Sequence, residues 1–108
     1  MVNLKFEKGG RLTDTDYHNQ RLLGAQQIIV VAEEMAHEAG LVAMHCEWDH
    51  GRPMIEKDNH TFKLSCGKSV SQETFSDEEI TDFLGKVGTQ PTRTKITAMI
   101  RTLREDAL

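Results

Sequence analysis

The side chains best suited to chemistry crowd into the middle of the chain. His45, Cys46, His50, His60 and Cys66 fall between residues 45 and 66, and imidazole nitrogen and thiolate sulfur are the ligands zinc prefers. Their spacing argues against a metal centre. There is no C-x-x-C knuckle and no pair of histidines four apart on a helix, and strand alternation sends His45 and Cys46 to opposite faces. A cysteine–histidine nucleophile pair meets a similar obstacle. Both thiols fall on an apolar face, where the thiolate is disfavoured and reactivity drops. Gly67-Lys68-Ser69 carries the last letters of a phosphate-binding loop, but Phe62 stands where that motif needs its first glycine. The helix that follows begins with acids, which would repel a phosphate. Asp77, Glu78 and Glu79 read as the first turn of that helix, where its dipole favours negative charge, and Glu33 and Glu34 lie on the outer side of a longer one. No catalytic residue, metal ligand or cofactor is assigned from the sequence.

Two segments could bind rather than react. At the C-terminal end, an acidic helix, a short break and Thr92-Arg93-Thr94-Lys95 opening a second helix have the layout of a helix-turn-helix unit. In that reading Arg93, Lys95, Arg101 and Arg104 supply phosphate and base contacts. Against it, the break is longer than usual, the preceding helix is acidic, and the whole chain carries a formal charge of −4. The long first helix offers the second segment. At 100° per residue, Tyr17, Leu22, Ala25, Ile28, Ile29, Val31, Ala32, Met35, Ala36 and Ala39 make a broad apolar stripe. Leu23 and Val30 fall outside it and stack two turns apart, with His37 two turns further on, in a field of Asn19, Gln26, Gln27, Glu33 and Glu34. Either this helix is buried in the middle of the fold, or Leu23, Val30 and His37 face a partner.

The elements that carry these residues follow from periodicity and punctuation. Val2, Leu4 and Phe6 alternate with polar residues as a half-buried strand does, and that strand is a candidate fourth member of the sheet. Thr13 can cap a helix over 14–39, with Leu12 and Tyr17 at the staple positions and Gly40 as the stop. Strands are expected at 41–48, 53–56 and 60–66, with turns at Asp49–Arg52 and Asp58-Asn59. In that register Met44, Cys46, Trp48, Ile55, Phe62, Leu64 and Cys66 share one face. The other is polar except for Met54. The two cysteines would then stand two strands apart, about 9–10 Å, beyond the reach of a disulfide. Ser76 and Glu79 form a capping box for a helix running to about Val87. Gly88-Thr89-Gln90-Pro91 is read as a break before a last helix from Thr92 to about Asp106, with Ile96, Met99, Ile100, Leu103 and Ala107 buried.

Length and composition set the frame. The 108 residues, 38% apolar and 28% charged, suit a single domain that needs no disulfide to fold. The longest apolar run, Ile28 to Ala32, is too short to cross a bilayer. The first residues lack the apolar core of a signal peptide, so a cytoplasmic address is expected. The expectation is one α+β domain spanning 1–108, with a long N-terminal helix on a three-stranded antiparallel meander and two C-terminal helices. Its expected role is a non-enzymatic accessory or inhibitory protein that docks a macromolecular protein partner, a homodimer being one form of this. A nucleic-acid-binding regulator is the first alternative, and a zinc- or thiol-dependent enzyme the second.

Overall fold

A computed structural model describes residues 14–86 and 89–107. The candidate strand at 2–6 and the Leu12–Thr13 cap lie outside the described residues. The architecture is α+β. Helix α1 (Asp14–Glu38) is followed by strands β1 (Met44–Trp48), β2 (Asn59–Cys66) and β3 (Ser69–Ser76), then by helices α2 (Asp77–Leu84) and α3 (Thr89–Ala107). The three strands form one antiparallel sheet in the order β1-β2-β3.

The end of α1 is set by its last residues. Gly40 has φ +85°, its N–H reaches the His37 carbonyl at 3.0 Å, and that of Leu41 reaches Ala36 at 2.9 Å. This is a Schellman closure, which needs a left-handed residue that glycine supplies without strain. The buried side of the helix is narrower than its apolar stripe. Ala25, Ile28, Ala32 and Ala36 are buried, whereas Tyr17 and Leu22 are exposed. At the α1–α2 crossing the helices meet at a glycine. A Cβ at Gly24 would collide with the backbone carbonyl of Ile80. Only a residue without a side chain admits α2 so close.

The meander differs from its expected register in the middle. Residues 53–56 form no strand, and β1 pairs directly with β2, Cys46 facing Leu64 and Trp48 facing Phe62. The third strand is β3, in a segment with no apolar alternation. Its inward positions are Ser69, Ser71, Glu73 and Phe75, opposite Cys66, Leu64, Phe62 and His60, and only Phe75 among them advertises a core. The two-residue connection Gly67-Lys68, with Gly67 at φ +63°, suits a type II′ hairpin that keeps β2 and β3 in twist. The loop also exchanges the roles of two neighbours. Met54 is 7% exposed and Ile55 63%, so Met54 enters the core and Ile55 does not, because no strand alternation governs them there.

The core closes around three rings. Trp48 lies 4.5 Å from Phe62 and 5.6 Å from Phe75, and the two phenylalanines are 6.0 Å apart. Such pairs add about 0.5–1.5 kcal/mol each beyond their buried area. The indole N–H donates to the Ala25 carbonyl at 3.1 Å, pinning β1 under α1. Helix α3 brings in Ile96, Met99, Ile100 and Leu103. It starts at Thr89, so Pro91 sits inside its first turn rather than in a break, at a place where proline costs no hydrogen bond. In α2 the Ser76 hydroxyl accepts from the Glu79 N–H at 3.1 Å and the Glu79 carboxylate from the Ser76 N–H at 2.8 Å, completing the capping box.

Gly24→Ala tests the crossing. In an exposed helix this change stabilises by about 1 kcal/mol. Here it is expected to destabilise by about 1–3 kcal/mol, as overpacking does, read as a lowered urea midpoint and melting temperature.

Candidate functional site

The most unusual chemistry in the molecule lies where α1, β2 and α2 converge. Arg21 is 2% exposed and His60 1%, and for an arginine such burial is rare unless it is paired. Both are paired. The His60 ring meets Asp49 through Nδ1 at 2.7 Å and Asp77 through Nε2 at 2.8 Å. Arg21 donates from Nε to the same Asp77 oxygen at 2.6 Å and lies 3.2 Å from His18. Asp49 also accepts from the Thr61 N–H at 2.9 Å and pairs with Lys57 at 3.2 Å.

Local structure places each member. Asp77 is the first residue of capped α2, and its N–H bonds the Asp58 carbonyl at 3.2 Å. Asp49, His50 and Gly51 carry consecutive φ values of 49°, 57° and 80°. Left-handed backbone costs a non-glycine residue about 1–3 kcal/mol, and the two here are offset by the bonds Asp49 makes. His60 has the inward parity of Phe62 and Leu64. Burial works to raise both aspartates, but the bonds from His60, Thr61 and Lys57 to Asp49, and from Arg21 and His60 to Asp77, outweigh it. Both carboxyls are held below the usual carboxylate range. Asp77 borders an open trough of about 770 Å³ that also touches Tyr17, Lys57, Ser76 and Glu78. Since His60 is enclosed and engaged at both nitrogens, this cluster's evident work is to hold α1, the β1–β2 connection and α2 together.

In the sequence His60 stands among the zinc candidates and Arg21 has no assigned role. Two signals were there: a charged residue on the core-facing arc of α1, and a histidine at an inward position of β2. Their partners were hidden, because Asp49 and Asp77 look like turn and helix-cap residues. Among the described residues no group of three or more His, Cys, Asp or Glu side chains is placed to hold a metal ion. The cysteines stand on neighbouring strands, not two strands apart as expected. Cys46 faces Leu64 and Cys66 faces Met44, a diagonal relation of about 7–8 Å, and both are free thiols, half-buried rather than enclosed. Burial, then the Glu33 carboxylate, pushes the Cys46 thiol up to about 11.

The residues expected to bind partners fare differently. Leu23 and Val30 are each 42% exposed and His37 is exposed, so this side of α1 is not buried by the C-terminal helices. Leu23 borders a groove of about 400 Å³ between α1 and α2, together with Asn19, Thr81 and Leu84. Of the basic residues on α3, Lys95 is committed within the fold. Its ammonium lies 2.7 Å from the Thr74 carbonyl, 3.0 Å from Glu79 and 4.8 Å from the Phe75 ring centre. Arg93 sits 5.6 Å over the Phe83 ring. Arg101 and Arg104 are exposed and edge an open cleft of about 610 Å³ between α1 and α3, floored by Met35, Ala39 and Ile100. No helix of the described residues is long and apolar enough to cross a membrane. No family model, curated protein or solved structure matches the chain.

Three measurements test these assignments. Replacing His60 with alanine takes one partner from the buried Asp49, which keeps Lys57 and the Thr61 N–H, and one from the part-exposed Asp77, which keeps Arg21, and is expected to cost about 1–3 kcal/mol. Because the folded Asp49 and Asp77 titrate below their unfolded values, their stabilisation is complete above about pH 4 and drains away as acid protonates them in the folded state. The urea midpoint of wild type should fall further between about pH 6 and pH 3 than that of Asp77→Asn; equal falls would show that Asp77 contributes nothing. In a Cys66→Ser variant, Cys46 should react with a thiol reagent at about pH 8 far more slowly folded than unfolded, since little thiolate forms, and Glu33→Gln should speed the folded reaction.

Proposed function

We propose that this chain is a small non-enzymatic interaction protein that docks a macromolecular protein partner through the outer face of α1. The observation that carries this reading is the Leu23–Val30 line. The core takes Ala25, Ile28, Ala32 and Ala36 from the opposite side of the helix, and Leu23 and Val30 remain 42% exposed. Two branched apolar residues two turns apart, with His37 continuing the line, give the i, i+7 anchors on which helix-mediated docking is built. The buried Arg21–Asp77–His60–Asp49 chain supports it by fixing α1 to the sheet, so the face is presented on a rigid element.

Leu23→Glu combined with Val30→Glu tests the proposal. Both side chains are exposed, so the double variant should keep the wild-type circular dichroism and lose no more than about 0.5 kcal/mol per site. A partner held by immobilised wild type should be released by the variant, because uncompensated charge at a desolvated contact costs several kcal/mol. A variant that retains every partner of the wild type would remove α1 from the proposal, and one that unfolds would return the helix to the core.

The nucleic-acid reading keeps one specific support, the exposed Arg101 and Arg104, which make no ion pair among the described residues. The commitment of Lys95 to Glu79 and Thr74 weakens it. No complex with DNA or RNA is expected at physiological salt. A micromolar complex that weakens steeply with salt and is lost in the Arg101→Ala, Arg104→Ala double variant would reverse the order of the two readings.

A further inference from the structure

The sheet has an unpaired edge. Strand β1 is the outermost strand on its side, and among the described residues nothing pairs with its free backbone groups, a condition that folded proteins normally relieve by covering, charging or pairing the edge. Beside this edge runs a partly open apolar seam. Met44 and Cys46 on the inward side of β1 are half-buried against the core, as is Ile29 of α1. Leu22, two turns before Ile29 on the same line of α1, is 42% exposed. Helix α1 lies against β1, where the Trp48 indole N–H donates to the Ala25 carbonyl at 3.1 Å.

We propose that the β1 edge pairs with β1 of a second copy of this chain, antiparallel about a two-fold axis through Cys46, joining two three-stranded sheets into one of six. The register is chosen by the residues themselves. Centring on Cys46 pairs all five residues of β1, placing Met44 opposite the other copy's Trp48 and His45 opposite its Glu47. His45 and Glu47 both point to the solvent side of the sheet; Glu47 already pairs with Lys63 of β2 at 3.2 Å, and across the new ladder the other copy's imidazole N–H meets that same carboxylate on either side of the axis. Shifting the axis to Glu47 would set two glutamates face to face and pair only three residues. On the inward side the two copies of Leu22 and Ile29 approach over the joined strands and close the seam. This surface is distinct from the Leu23–Val30 line and stands whether or not that face docks a partner.

Light scattering over a range of concentrations, with a charge-swap rescue, decides it. Wild type should be a dimer at about 100 μM. His45→Glu alone places glutamates opposite Glu47 at both ends of the ladder and should give a folded monomer, with at least a tenfold rise in dissociation constant. His45→Glu with Glu47→His restores complementary pairs and should recover the dimer. A dimer that His45→Glu leaves intact, or a monomer that the swap fails to rescue, would overturn this interface. So would a wild type monomeric at millimolar concentration. If that monomer's β1 amides were nonetheless protected from hydrogen exchange, the edge would be occupied by the chain's own residues instead.

Discussion

A histidine ring with a carboxylate on each nitrogen joins parts of this chain that have little else in common. Asp49 comes from the turn after β1, His60 from the start of β2, Asp77 from the cap of α2, and Arg21 from the first turns of α1. The ring, the guanidinium and the two acids are each hydrogen-bonded to another member of the set, which is how such groups survive burial at all. Each member's desolvation is offset by the others, so the loss of any one leaves the rest uncompensated. This interdependence fixes how α1 and α2 sit on the sheet in a way that apolar packing, which is nearly directionless, does not.

The rest of the molecule is arranged around that anchorage. With α1 held at its N-terminal half, Gly24 can pass within backbone contact of Ile80, and Trp48 can bond the α1 carbonyl at Ala25. The strained turn at Asp49–His50 has a reason only in this context, since it turns a carboxylate inward at the end of a strand. On the other side of the sheet's long axis, α3 is fastened by Lys95, which reaches both the α2 cap and the β3 backbone. Basic residues that resemble a nucleic-acid surface in the sequence are thus partly structural.

Among the described residues, the outer side of α1 and the free edge of β1 are left without a covering element. Both are apolar features bounded by polar residues, the usual form of a surface meant to be covered. They lie on different sides of the same helix. A protein that self-associates along its sheet can therefore still present α1 outward, once per copy, which would raise the avidity of docking to any repeated or symmetric partner.

Local signals in the sequence determined much of this. The Gly40 closure, the Ser76–Glu79 box, the inward set of Met44, Cys46, Trp48, Phe62 and Leu64, and the buried stripe of α3 follow from periods and caps that a few neighbouring residues enforce. The strand at 69–76 was not legible, because it is held by its backbone ladder to β2 and by α3 above it, not by its own apolar alternation. Residues 53–56 looked like a strand by pattern and form none, because β2 takes the place beside β1. The cluster around His60 was hidden for the same reason. Arg21, Asp49, His60 and Asp77 each have an ordinary local explanation, and only tertiary packing, which brings residues 56 positions apart within hydrogen-bonding distance, decides that they share one buried site.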